Sequence, residues 1–123
     1  MKILKNSFYL SNFILTIFYL YPGSILGCFI YNDCYIQPQL TKDFIVSSNH
    51  VYVFIIFSTL GFISFANNLK KITYYLILYS IISELLHIII PNRGFEVADL
   101  LGNILGVLLS LILFKLIIFR RLK

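Results

Sequence analysis

Apolar residues fill four long stretches of the chain, at about 3–21, 49–69, 72–90 and 99–119, and each stretch ends at polar or helix-breaking residues. Each is close to the roughly 20 residues that cross a bilayer core as a helix. The pattern predicts an all-α integral membrane protein, with four transmembrane helices forming a single domain over 1–123. The first stretch is interrupted by Lys5, Ser11 and Asn12 and stops at Pro22-Gly23; a cleaved signal peptide is its rival reading. Residues 22–48 hold Cys28, Asp33, Cys34, Gln37, Pro38, Lys42 and Asp43 and form the largest loop. The second stretch is uncharged and places Ser58, Gly61 and Ser64 at near-helical spacing, a narrow face suited to close helix contact. Lys70-Lys71 ends it. The third would be an ordinary hydrophobic helix without Glu84 and His87. Pro91-Asn92-Arg93-Gly94 breaks it, and the fourth stretch closes on Arg120-Arg121-Leu122-Lys123. Gly102, Gly106 and Ser110 recur every four residues along that last helix and are expected to lock it against the third.

Composition agrees with this pattern and excludes several classes. The chain is 59% hydrophobic and 12% charged, with a mean hydropathy of +0.89, whereas a soluble domain carries about 25% charged residues. A cytosolic enzyme and a disordered binder are therefore excluded. The net charge is +5, but no basic run is long enough to follow a phosphate backbone, so no nucleic-acid partner is expected. The positions of the charges say more than their sum. Lys2, Lys5, Lys70, Lys71, Lys115, Arg120, Arg121 and Lys123 fall on one side of the four-helix layout, against only Lys42 and Arg93 on the other. The positive-inside rule then puts both termini in the cytoplasm and the 22–48 loop and the 91–98 link outside. The expected location is the bacterial cytoplasmic membrane, multi-pass, with the lipid bilayer as surroundings. Cys28 and Cys34 lie on the outer side, either as a small disulfide or as two free thiols.

An ionisable group inside a span costs on the order of 3 kcal/mol by insertion scales, so it persists where it faces other helices, water or a function. Glu84 and His87, three residues apart, share one helix face. The fourth span starts at the same outer end with Asp99 and, a turn later, Asn103; His50 opens the second span from that side. Topology thus brings His50, Glu84, His87, Arg93, Asp99 and Asn103 to one depth, and these are the candidate ligand-binding residues. Plainer roles exist for three of them. Asp99 suits a helix N-terminal cap, Arg93 an ion pair with Glu96 or Asp99, and His50 an interfacial helix start. Gly-rich phosphate loops, haem motifs and zinc-ligand spacings are missing, and a single Glu-x-x-His leaves a ligand set incomplete. No cofactor and no metal are expected.

The run Ser83-Glu84-Leu85-Leu86-His87, then Pro91-Asn92-Arg93-Gly94, Glu96, Asp99, Asn103 and Gly106, with His50 a helix earlier, resembles the VanZ-like membrane proteins. The match is specific from about 50 to 110. His87 stands where that family usually has Gln, and Val46-Ser47 where it often has Asp-Lys. The resemblance implies a theme, low-level resistance to teicoplanin-type glycopeptides or envelope maintenance, and a location at the outer membrane face.

Three functional classes follow. The polar cluster can bind the head group of an envelope lipid, lipid-linked wall precursor or glycopeptide, with Arg93 and His50 contacting it. It can belong to an accessory protein, with polar residues that only pin helix register. Or Glu84 and His87 can act as catalytic acid and base in a membrane enzyme, although no Ser or Cys elbow accompanies them. Binding is the first expectation.

Overall fold

The computed structural model describes residues 2–121, with backbone only for Phe119 and Arg121; Lys123, part of the basic end expected to orient the chain, lies outside them. Five α-helices and no strand are present among the described residues: α1 (Lys2–Leu20), α2 (Ile25–Tyr31), α3 (Ser48–Ser64), α4 (Leu69–Leu86) and α5 (Val97–Arg121). A 3-10 turn, Ala66–Asn68, joins α3 to α4.

The four apolar stretches become α1, α3, α4 and α5, and the 22–48 segment carries a helix that its polarity hides. Gly23 turns the chain at φ +112°, with its Cα so close to Cys34 that a side chain there would lie 2.7 Å from the Cys34 carbonyl oxygen. Ser24 caps α2 by accepting from the Gly27 amide at 2.9 Å, and Asn32 ends it in the left-handed region at φ 52°. A Cys28–Cys34 disulfide closes this unit. Seven residues are too few to show a helical period, which is why only the caps mark α2 in the sequence.

Two expected spans are shorter than drawn. The second ends at Ser64 because the chain breaks at Phe65 (φ −126°, ψ 36°) before the 3-10 turn. The third stops at Leu86, five residues before Pro91. A proline ring clashes with the carbonyl four residues back, here that of His87. The backbone tightens instead into i→i+3 bonds, His87 to Glu84, Ile88 to Leu85 and Ile89 to Leu86, each 3.1 Å.

Val97–Ile118 in α5 is the one helix among the described residues that is long and apolar enough to cross a membrane by itself, with a mean hydropathy of 2.4. Helix α3 has only 17 residues, and α4 carries Lys70, Lys71 and Glu84. The pairs α1–α2, bent by 78°, and Ser48–Ser64 with Ala66–Leu86, bent by 95°, each reach the needed length and apolarity together. Outward-facing Ile, Leu and Phe side chains run along α1, α4 and α5, among them Phe13, Leu78, Ile112 and Ile117, all more than 45% exposed.

The core is aromatic. Phe8, Tyr19, Phe54, Phe57, Phe62, Ile72, Leu76 and Val107 are buried together, and Phe8 stacks on Phe57 with centroids 5.1 Å apart. The small residues of α5 do lie at a helix seam, but their partner is α3 and not α4, as the four-residue repeat had suggested. A Cβ on Gly102 would stand 2.7 Å from the Ser47 carbonyl oxygen, and one on Gly106 would stand 2.7 Å from both the Val51 carbonyl oxygen and the Phe54 Cβ. Ser110 and Thr59 share a hydroxyl hydrogen bond of 2.8 Å further along. Spacing reveals a face and not its neighbour. Gly61 and Ser64 of α3 receive α1 instead: the Phe8 ring sits where a Gly61 Cβ would go, and the Ser64 hydroxyl donates to the Leu4 carbonyl at 2.9 Å.

Because Gly106 abuts backbone, Gly106→Leu has nowhere to place its side chain. Overpacking of this kind costs about 1–3 kcal/mol, so thermal unfolding in detergent, followed by far-UV circular dichroism, shifts down. Leu105→Ala, one residue away on the outward face, leaves the midpoint nearly in place.

Candidate functional site

All six expected polar residues meet at one end of the bundle, where α3 begins, α4 ends, α5 begins and α1 finishes. Glu84 is completely covered. Its Oε1 accepts from His87 Nδ1 at 3.1 Å and from the Glu96 amide at 3.2 Å; its Oε2 is buried without a hydrogen-bond partner. The helix end that Pro91 enforces leaves His87 as the last-turn residue, 2% exposed, with Nε2 donating to the Tyr19 carbonyl at 3.2 Å. Both His87 nitrogens therefore face oxygen acceptors. The ring stacks on Tyr19 with centroids 5.2 Å apart and planes within 12°.

A second network adjoins the first. The Tyr19 hydroxyl donates to Asn103 Oδ1 at 2.8 Å, and His50 Nδ1 lies 2.8 Å from both the Tyr19 hydroxyl and Asn103 Oδ1. Asn103 is fully buried. The other His50 nitrogen, Nε2, faces Asp99 Oδ2 at 3.4 Å. Tyr19 thus joins the Glu84–His87 pair to the His50–Asn103–Asp99 group. Sequence reasoning missed it, since a tyrosine near the end of an apolar stretch is ordinary at a membrane interface.

Two plainer roles are replaced. Asp99 lies in the first turn of α5, at the positive end of the helix dipole, but among the described residues its carboxylate makes its contact to His50 and none to an amide of its own helix. Arg93 pairs with neither Glu96 nor Asp99. It reaches back to α1, donating from Nη2 to the Phe18 carbonyl at 3.1 Å and from Nε to the Tyr21 carbonyl at 3.4 Å. A cation closing the carbonyl end of a helix is electrostatically favoured.

Over these networks opens a polar cleft of ≈ 290 Å³, whose wall includes His50, His87, Arg93, Glu96, Asp99 and Asp43. Beside it runs an apolar groove of ≈ 300 Å³ between α1, α2 and α3, lined by Leu15, Phe18, Ile25, Leu26, Ile30 and Val53. His50, His87 and Arg93 belong to both walls. Glu84 and Asn103 lie behind the surface and line neither. Glu84 acts on the cleft wall through its hydrogen bond to His87, which orients that ring.

A helical bundle with one long apolar helix and an acid–imidazole cluster facing a polar cleft defines a membrane-associated protein with a site at one end of the bundle. A family model described as VanZ/LLP1 matches residues 4–119, and the chain belongs to this VanZ-like family. No curated protein and no solved structure matches it.

Tyr19→Phe keeps the ring on His87 but removes the hydroxyl between His50 and Asn103. Losing the two hydrogen bonds of that hydroxyl costs about 1–2 kcal/mol, read as a lower midpoint in detergent; an unchanged midpoint would remove Tyr19 from the network.

Proposed function

We propose that this VanZ-like protein is a multi-pass protein of the bacterial cytoplasmic membrane that binds the polar head group of an envelope lipid or lipid-linked wall precursor at the outer leaflet. In this reading α1, α3, α4 and α5 cross the bilayer, both termini are cytoplasmic, and the cleft faces outward. One observation carries it: a polar cleft and an apolar groove share His50, His87 and Arg93 as a common wall. An amphiphile has the matching form, with a head for the cleft and a chain for the groove. Arg93 is the principal contact, because its two bonds to α1 engage two of its five N–H groups, and a guanidinium binds phosphate oxygens strongly. A link to glycopeptide resistance follows the family theme, since those drugs act on precursors at the same face.

Arg93→Ala is expected to abolish photo-crosslinking to a phosphate-headed lipid probe while the protein's level in the membrane stays normal. Crosslinking that persists counts against head-group binding. If abundance and crosslinking fall together, the polar residues serve register alone, which is the accessory reading that the many internal hydrogen bonds favour.

Orientation has its own test. After mild reduction, a membrane-impermeant maleimide should label Cys28 and Cys34 in intact cells and should not label a cysteine replacing Lys70 until the membrane is opened. The reverse pattern would invert the topology.

A further inference from the structure

His50 opens α3, Glu84 lies near the end of α4 and Asp99 sits in the first turn of α5, yet one ring nitrogen and one oxygen from each carboxylate all lie within 4.8 Å of one another. His50 Nε2 and Asp99 Oδ2 are 3.4 Å apart. Two donors held at about 2.0–2.2 Å by one tetrahedral ion stand roughly 3.4 Å from each other, so this pair already has the spacing of a chelate.

Two further observations are independent of that spacing. Glu84 has no exposed surface, and its Oε2 has no hydrogen-bond partner, although Oε1 has two. A buried carboxylate oxygen left unmatched is costly, and a cation held by the Glu84 carboxylate would satisfy it. The other is the setting of His50: its Nδ1 lies 2.8 Å from Asn103 Oδ1, so Nε2 is the ring nitrogen turned toward Asp99. Metal-bound histidines characteristically engage the second ring nitrogen with just such an oxygen.

The geometry points to a divalent-cation site, of the Zn²⁺ class, formed by His50 Nε2 and Asp99 on the wall of the cleft and by Glu84 behind them. Imidazole with two carboxylates suits a borderline ion better than Mg²⁺ or Ca²⁺, which take all-oxygen sets. Three protein donors leave a coordination position open. Because His50 and Asp99 line the cleft, that position faces it and takes water or an anionic oxygen. Only the second choice rests on head-group binding; the ion site stands without it. No Cys or His spacing announces this site, because its donors come from three helices.

The test uses the full chain, carrying an affinity tag free of histidine, in phosphatidylcholine nanodiscs, stripped with chelator and titrated with Zn²⁺ by calorimetry. One ion per chain is expected. His50→Ala and Asp99→Asn should each weaken binding about tenfold or more, at least the cost of losing an outer-shell partner, while Asp33→Asn, an acid outside the cleft, binds as the unaltered chain does. Zinc-edge X-ray absorption on the unaltered protein does not depend on how the variants fold, and its outer-shell scattering should count one imidazole. Absence of saturable binding, binding indifferent to both substitutions, or a spectrum with no imidazole or with two would overturn the site. Zinc binding without lipid crosslinking would retain the ion and remove the head-group reading.

Discussion

A carboxylate with no exposed surface, on a helix that is otherwise apolar, sets the terms for the rest of this bundle. Glu84 in that position carries a desolvation cost of several kcal/mol unless partners meet it, and the fold supplies them from three directions. His87 stands three residues on along the same face. The Glu96 amide comes from the link that follows Pro91. Tyr19, from the other end of the sequence, stacks on His87 and offers its carbonyl to the second ring nitrogen. Each partner is itself held by something else. Arg93 secures the end of α1 that carries Tyr19, and Asn103 fixes the Tyr19 hydroxyl.

The same end of the molecule depends on close backbone approach elsewhere. Gly102 and Gly106 let α5 lie against the start of α3, and the Ser47 amide donates to the Ala98 carbonyl at 3.1 Å where the two helices begin. That approach is what brings His50 within reach of Asp99 and Asn103. Packing and site are therefore one construction: side chains at the α3–α5 seam would push apart the donors that line the cleft. Cleft and groove together make a surface with two characters, polar over the networks and apolar between α1, α2 and α3.

Much of this was legible in the residues. Four apolar stretches mark four of the five helices, and the depth of Glu84, His87, Asp99, Asn103 and His50 follows from helix direction alone. Local punctuation was read too coarsely. Pro91 acts four residues upstream, which turns His87 from a mid-helix residue into a helix-end one. Phe65 breaks a stretch that hydropathy alone treats as continuous. Helix α2 is announced only by Ser24 and Asn32, since seven residues cannot show a period.

By itself, the sequence determined that the chain is a helical, membrane-associated bundle and that Glu84, His87, Asp99, Asn103 and His50 share one end of it, because apolar length and the cost of buried charge act locally along the chain. Only the tertiary structure decided who meets whom: α5 on α3 instead of α4, Arg93 on the α1 carbonyls instead of an acid, and Tyr19 between two histidines. These choices depend on rotation about helix axes and on the angle at which helices cross. A one-dimensional pattern constrains which face of a helix is used, and leaves open which neighbour fills it.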